Sequence, residues 1–458
     1  MIDANSIILG FTGSIGSGCT YISRMLSERT NGNYKYFKLS DLIRQELERK
    51  GISSPTVEQM QEEGNSLRKA HGKNCLPSLL IRNLSTEDTT EKSNIIIDGI
   101  KNDGEVALLR QFPYFYLFSI NADREIRQGR VVRPDGPFKS DNEFLDADKR
   151  DENEDNSNGQ QVKKCNSLSD IIIVNEKEIP ERSVREKENM VDDIKRKYVE
   201  LIQNNVDGNI SPEIFPSVNE LCMTIAYSLS KKSSCLKRKV GAVIIDSKSS
   251  LNTISDEKKA QRVPHIIASG YNEVPEGSHK CVFDIGYQKC YRDHLQEMHA
   301  QKMKFCPSCG CKIKINYECP NCNTKYNKYW KICRDCKKEI KVPFICDSCT
   351  KDVFEEHLPG SKNTPGKLLD LCRALHAEEM AILQLSKRGS AGAGDLILYA
   401  TTQPCNLCAN KIATSGIKKV VYAEPYNMKE AAQILIDAGV ELERFEGIKS
   451  SAYFKLYN

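Results

Sequence analysis

Three residues that could bind one metal ion, and one acid that could move protons, stand close together in the C-terminal part of the chain. His376 and Glu378 are separated by one residue, and Cys405 and Cys408 follow Pro404 with two residues between them. One imidazole and two thiolates make a three-ligand zinc site whose fourth position stays open for water, as a catalytic zinc requires. Glu378, near the metal but not bound to it, would serve as general acid and base. A four-ligand structural site would not need that glutamate.

Two helices and one strand must position these residues. Apolar spacing predicts a helix over 368–387, which would contain His376 and Glu378. Alternation predicts a strand over 396–401. A second helix would begin at Pro404, which places both cysteines in its first turn, one helical step apart. The positive end of that helix favours the thiolate form of both cysteines.

Composition bounds the class of protein. The chain has 458 residues, enough for two or three domains, and its 66 basic and 62 acidic residues nearly balance, which argues against a general polyanion binder. No signal peptide is visible, and no apolar run reaches the ~18 residues of a membrane span. Most of the 19 cysteines fall in pairs separated by two residues, a metal-binding spacing typical of a reducing compartment. We therefore expect a cytoplasmic protein with no membrane partner.

Eight cysteines in the middle of the chain form a repeat of closely spaced pairs. Each pair has two residues between its cysteines, and several pairs are flanked by Pro or Gly, as in structural zinc knuckles. The residues are Cys306, Cys309, Cys319, Cys322, Cys333, Cys336, Cys346 and Cys349. The pattern predicts a zinc-ribbon segment over 301–352 that holds two structural zinc ions. One zinc per repeat closes the shorter loops, and spacing alone leaves interleaved pairing open.

The predicted ribbon is also rich in lysine, and it contains Tyr326, Tyr329 and Trp330, the only tryptophan. Basic charge with interleaved aromatic rings can bind single-stranded nucleic acid. Lysines that simply cover a small zinc-stabilised domain are the plainer explanation. An RNA or protein regulator at the ribbon is thus one hypothesis, and a solvated surface is the other.

The N-terminal end carries a second pattern, in which a predicted strand at 7–11 leads into a glycine loop and a helix follows over 21–28. Strand, glycine loop and helix form the context of a phosphate-binding loop (P-loop), where backbone N–H groups and the helix N-terminus face phosphate oxygens. Asp98 ends a further apolar strand at 94–97. The residues expected to bind nucleotide are Gly13, Gly16, Gly18, Cys19, Thr20 and Asp98.

Residue 19 departs from that pattern. A lysine that reaches the β and γ phosphates normally stands there, and the thiol of Cys19 offers no fixed positive charge. Thr20 keeps the hydroxyl that would hold Mg²⁺. Arginines at 124, 127, 130 and 133 are spaced like a helical phosphate clamp, or else like a solvated helix face. We therefore expect nucleotide binding rather than phosphoryl transfer.

Composition shifts suggest where the chain divides. The polar, acid-rich segment 139–164 predicts an exposed loop or lid. Residues 205–216, rich in Asn, Gly and Pro, predict a linker between an N-terminal domain at 1–204 and a second domain at 217–458. The second domain would begin with a helix over 218–230.

Residues ahead of the metal motif resemble the deoxycytidylate deaminase family. They are Ser233, Ser234, Cys235, Arg238, Lys239, Val240, Gly241, Ala242, Gly270, Tyr271, Asn272 and Pro275. The resemblance spans most of 216–458 and is interrupted by the predicted ribbon. The N-terminal domain resembles P-loop nucleoside-phosphate kinases, and the combination resembles two-domain antiphage deoxycytidine nucleotide deaminases of bacteria.

The resemblance implies roles for individual residues. His376, Cys405 and Cys408 would hold the catalytic zinc, and Glu378 would shuttle protons. Asn272 would contact the sugar or base, and Arg238 or Lys239 the substrate phosphate. Glu273 stands where family members commonly have Gly, so a carboxylate near the nucleotide departs from the family pattern at this position. The family also implies a homo-oligomer and, at the P-loop, a regulatory nucleotide.

The parts predict an α/β fold, in which a P-loop NTPase-like doubly wound domain precedes an α/β/α cytidine deaminase-like domain with a zinc-ribbon insertion. The predicted reaction is deamination of dCTP or dCMP to the uracil nucleotide, which would deplete the dCTP pool during phage infection. A base deaminase acting on RNA or DNA, with the ribbon gripping the polynucleotide, is the alternative. A regulatory binding module is a third reading, compatible with the first.

Overall fold

A computed structural model gives the structure of most of the chain outside the predicted ribbon. The described residues are 5–86, 94–152, 154, 157–176, 184–209, 215–246, 264–278, 280, 290, 291, 293, 322, 336, 372–387, 389, 395–425 and 429–457. Apart from Cys322 and Cys336, the ribbon cysteines lie outside these residues, so both predicted structural zinc sites stay predictions. No helix among the described residues is long and apolar enough to cross a membrane.

The first sheet has six strands in the order β11-β5-β4-β1-β3-β2. Its members are β1 (Ile8–Thr12), β2 (Tyr34–Lys38), β3 (Asn94–Asp98), β4 (Phe115–Asn121), β5 (Ile171–Val174) and β11 (Gly447–Ile448). The first five run parallel, and β11 is antiparallel to β5. The central strands β1 and β4 are buried along their whole length, as continuous apolar runs predict for strands covered on both faces.

Helices cover both faces of this sheet, and separate apolar cores lie on its two sides. They are α1 (Cys19–Arg29), α2 (Leu39–Arg49), α3 (Val57–His71), α4 (Cys75–Thr86), α5 (Asp103–Leu109), α6 (Arg124–Val131), α7 (Asp141–Glu152), α8 (Val162–Leu168), α9 (Val184–Ile194) and α10 (Glu200–Val206), with a π-helical turn at Lys195–Val199. The exposed loop predicted over 139–164 is wrong, because α7 and α8 lie there. Phe144, Asp148 and Asp151 on α7 are fully buried.

The second sheet has the order β10-β9-β8-β6-β7. Its strands are β6 (Gly241–Asp246), β7 (Ile266–Tyr271), β8 (Leu396–Thr402), β9 (Ile417–Glu424) and β10 (Glu441–Arg444). The strands β8, β9 and β10 are parallel, and β6 pairs antiparallel with β7 and β8. The helices are α11 (Val218–Ser230), α12 (Ala377–Lys387), α13 (Asn406–Thr414) and α14 (Lys429–Asp437). Helix α11 packs on one face and the other three on the opposite face, which gives the predicted three layers.

The C-terminal segment joins the two sheets. Strand β10 belongs to the second sheet, but the next strand, β11, pairs with β5 of the first sheet. The last helix, α15 (Ser450–Leu456), packs in the core of the first sheet. Ala452 and Leu456 are buried there. The two halves therefore share structure at the C-terminus, while the domain boundaries drawn from composition stay predictions.

Candidate metal and active site

The three predicted metal ligands lie together. His376 Nδ1 is 3.3 Å from Cys405 Sγ and 3.4 Å from Cys408 Sγ, and the ligand atoms all lie within 4.8 Å of one another. Among the described residues this is the only cluster of three or more His, Cys, Asp or Glu residues with such spacing. The sequence pattern therefore corresponds to a compact donor set in space.

Local structure explains how the ligands meet. Cys408 lies in the first turn of α13, as the sequence predicted, but the helix begins at Asn406 rather than Pro404, so Cys405 is its N-cap residue. The predicted helix over 368–387 is too long within the described residues, because α12 begins at Ala377 and His376 precedes it. His376 is held there by its neighbours: Leu375 N donates to Glu273 O at 3.0 Å, next to β7.

Close packing against β7 also requires a glycine. A Cβ atom on Gly270 would lie 2.3 Å from the carbonyl oxygen of Ala377, at the first residue of α12. No side chain fits at that distance, so a glycine at position 270 is needed for the start of α12 to pack on the sheet. That packing positions His376, just before α12, and Glu378, in its first turn. The resemblance named Gly270 without giving it this role.

The electrostatics of the cluster suit a divalent metal. A hydrogen bond from Cys408, assisted by His376, lowers the pKa of Cys405 to about 4. The same sulfur–sulfur hydrogen bond, together with burial, raises the pKa of Cys408. Both thiols are buried, with exposed fractions of 7% and 1%. Zinc binding releases thiol protons, and an imidazole with two thiolates is a donor set that zinc prefers.

Glu378 lies beside this cluster in the first turn of α12 and is 4% exposed. Burial raises its pKa, although the charge of His376 opposes the rise. A carboxyl group with a raised pKa can both accept and return a proton near neutral pH. Its neighbour Glu379 differs, because it forms an ion pair with Lys411 of α13. The two adjacent acids thus lie in different electrostatic surroundings.

The predicted substrate residues lie at the joined ends of β6 and β7. Asn272 is 8% exposed; its Oδ1 accepts from Val240 N at 2.7 Å and its Nδ2 donates to Arg238 O at 2.8 Å. Arg238 also pairs with Glu424 at 3.0 Å, and Lys239 is exposed. The side chain of Asn272 therefore braces the segment just ahead of β6 that carries both basic residues, and substrate contact by all three stays a prediction.

Glu273 is turned back into the protein. Its carboxylate accepts hydrogen bonds from Ser234 Oγ at 2.6 Å, Ser234 N at 3.1 Å and Val274 N at 3.0 Å. Although burial alone would raise its pKa, these hydrogen bonds lower it. The Glu273 carboxylate thus holds the segment around Ser234 in place.

The glycine loop lies between β1 and α1, with Gly16 and Gly18 at φ values of 82° and 90°. Asp98, at the end of β3, accepts hydrogen bonds from Cys19 Sγ at 3.3 Å and Thr20 Oγ1 at 2.8 Å. A third comes from Tyr36 OH at 2.8 Å, a contact that the sequence did not indicate. The predicted nucleotide-binding residues therefore lie together, along one side of a cavity of about 390 Å³.

Two of the four arginines whose spacing suggested a phosphate clamp, Arg127 and Arg130 on α6, are buried and bonded to protein groups. Arg127 pairs with buried Asp148 and donates to the carbonyl oxygen of Ile15 at 2.9 Å. Arg130 donates to the carbonyl oxygens of Gly16 at 3.2 Å and Asn175 at 2.7 Å. The contacts with the carbonyl groups of Ile15 and Gly16 hold the glycine loop against α6. The spacing of arginines along a helix cannot reveal such buried partners, because they lie far away along the chain.

Comparisons with known proteins agree with this site. The family described as cytidine and deoxycytidylate deaminase zinc-binding region matches residues 216–424. The deoxycytidylate deaminase of Enterobacteria phage T4 is 30% identical over 225 residues, which cover 48% of this chain and 86% of the phage protein. The chain belongs to the cytidine and deoxycytidylate deaminase family.

Two further relatives extend the comparison. The deoxycytidylate deaminase of Schizosaccharomyces pombe is 27% identical over 238 residues, 52% of this chain and 47% of the yeast protein. The chain thus spans about half the length of that relative. A UPF0200 protein of Halobacterium salinarum is 28% identical over 170 residues, 37% of this chain and 84% of the archaeal protein.

Proposed function

We propose that this protein hydrolyses the exocyclic amine of a deoxycytidine nucleotide, dCMP or dCTP, to give the uracil nucleotide and ammonia. The observation that carries the proposal is the cluster of His376, Cys405 and Cys408 with buried Glu378 beside it. When bound there, zinc supplies a Lewis acid that makes hydroxide available near neutral pH.

Glu378 would perform the proton transfers. Water adds to C4 of the cytosine, and Glu378 accepts one of its protons and delivers it to the ring nitrogen N3. Glu378 then transfers the remaining hydroxyl proton to the amino group, the C4–N bond breaks, and ammonia leaves. Burial of Glu378 suits both steps, because the raised pKa brings its protonated and ionised forms closer in free energy.

Further parts of the proposal concern control. The glycine loop would bind a regulatory nucleotide, and Thr20 Oγ1 with Asp98, 2.8 Å apart, would hold Mg²⁺. The cysteine pairs would hold two structural zinc ions and present a surface for an RNA or protein regulator. Depletion of the dCTP pool as antiphage defence, a homo-oligomer and a cytoplasmic location complete the proposal.

Incubation of purified protein with dCMP, dCTP, CTP and a cytosine-containing oligonucleotide, followed by chromatography, tests the reaction. We expect a free deoxynucleotide to be converted and Glu378→Gln to lower the rate by about 10²- to 10⁴-fold. Glu379→Gln is the matched control, since that acid pairs with Lys411. Conversion of the oligonucleotide alone would replace this proposal with polynucleotide deamination, and equal loss in both variants would remove Glu378 from its role.

A further inference from the structure

The glycine-loop cavity lacks a positive charge at the position where a P-loop normally has one. Cys19 donates a hydrogen bond to Asp98, and burial, followed by the charge of Asp98, raises the pKa of the thiol well above its usual range. Cys19 is therefore neutral. A phosphate in this cavity would need a cation from another element.

Lys101 stands three residues after Asp98 and lines the same cavity as the loop. Its Nζ lies 2.5 Å from Oδ1 of Asp151, and the other oxygen of Asp151 accepts a hydrogen bond from Ile15 N at 3.1 Å. One fully buried carboxylate thus bridges an ammonium group and a loop N–H group. A phosphate group can bridge the same two donors, because it also presents two anionic oxygens side by side.

Two further polar groups indicate that the cavity takes a ligand. Ser17 Oγ and Arg68 Nη1 both belong to residues that line it, with exposed fractions of 1% and 2%. Among the described residues neither atom has a hydrogen-bond partner. Buried groups of this kind are normally satisfied, so a ligand that accepts hydrogen bonds would complete them.

Lys101 is favoured over the other cations of the cavity. Arg68 already pairs with buried Glu105 through Nε and Nη2, both at 2.9 Å, which neutralises its charge. Lys38 lines the cavity at the end of β2 but makes no bond to the glycine loop that the structure describes. Lys101, in contrast, is linked to the glycine loop by the carboxylate of Asp151, which contacts both Lys101 Nζ and Ile15 N.

We propose that Lys101 binds the terminal phosphate of a nucleoside di- or triphosphate in this cavity, in place of the lysine missing at position 19, and that Asp151 holds its ammonium group until the phosphate replaces the carboxylate. The inference rests on the proposed nucleotide binding by the glycine loop. It adds the residue that supplies the charge and the internal anion that competes with the ligand.

Calorimetric titration of the full chain with the magnesium complexes of ATP, GTP, dATP and dTTP tests the inference. We expect at least one to bind the unmodified protein and Lys101→Met to weaken that binding by about 10- to 100-fold, as for one lost hydrogen bond to a charged group. Lys69→Met is the matched control, because Lys69 is an exposed lysine of α3 that does not line the cavity. It should stay within about twofold.

Two rescue variants separate charge from packing. Lys101→Arg, or Cys19→Lys combined with Lys101→Met, should recover most of the affinity, and Asp151→Asn should tighten binding because it removes the competing charge. If no probe binds the unmodified protein, nucleotide binding and this inference both fail. If a probe binds but Lys101→Met equals Lys69→Met, or neither rescue variant recovers the loss, only the inference about Lys101 fails.

Discussion

The carboxylate of Glu220 accepts a hydrogen bond from the backbone amide of Ile448 at 2.9 Å, across 228 residues of chain. Glu220 also accepts from Ser217 N at 2.8 Å, which caps α11, and from Tyr457 OH at 3.1 Å. Ile448 belongs to β11, the strand that extends the first sheet. One buried side chain therefore joins the first helix of the deaminase half to the C-terminal segment that packs on the other half.

Replacing that carboxylate should weaken the whole protein. Glu220→Ala leaves the buried Ile448 amide without a partner and removes the glutamate half of the α11 capping box, so we expect the free energy of unfolding to fall by about 2–4 kcal/mol. Urea denaturation followed by circular dichroism measures the change. Glu430→Ala, in the exposed first turn of α14, is the control and should stay within about 0.5 kcal/mol. Equal stability of the two variants would contradict the joining role.

The ion pair of Arg127 and Asp148 should behave as a structural element of the loop support. Arg127→Met takes the bidentate partner from Asp148, which is fully buried and then keeps only the Nε contact of Arg124 at 3.0 Å; we expect a smaller loss than the about 3–5 kcal/mol that an unpaired buried charge costs. Adding Asp148→Leu should recover part of the stability, since it removes a buried carboxylate that half-exposed Arg124 alone would otherwise neutralise. Arg133→Met, at an exposed position, should change little. Unfolding midpoints in urea compare these four proteins with the single variant Asp148→Leu, and no coupling between positions 127 and 148 would refute the pair.

Variants of the predicted substrate residues can separate an effect on substrate binding from an effect on protein stability. Asn272→Ala loses hydrogen bonds to Val240 N and Arg238 O, so we expect both a lower unfolding temperature and a higher KM. Lys239 is exposed, so Lys239→Ala should raise KM for the nucleotide while leaving stability within about 0.5 kcal/mol. Steady-state kinetics and thermal unfolding give the two readouts. An unchanged KM in Lys239→Ala would remove that residue from the phosphate site.

The sequence predicted those parts of the fold that depend on residues close together along the chain. The helix over 218–230 has the predicted bounds, because its cap at Ser217 and its apolar spacing are local signals. The cluster of His376, Cys405 and Cys408 was predictable because each half of the motif has fixed spacing. Helix α7 was not, since Asp148 and Asp151 look solvated until Arg127 and Lys101 are placed against them. Composition records the charge of a residue but not the partner that lets it be buried.

Metal content tests both kinds of predicted zinc site, the catalytic cluster and the cysteine pairs of the ribbon. We expect elemental analysis of the full chain to find three zinc ions, one at His376, Cys405 and Cys408 and two at the predicted ribbon. Cys405→Ser should lower the content to two and abolish deamination, because it removes a ligand whose pKa favours the thiolate. Cys372→Ser is the control, as Cys372 lies outside the cluster. A content of one in the unmodified protein would refute the ribbon sites, and a content of three in Cys405→Ser would refute the catalytic one.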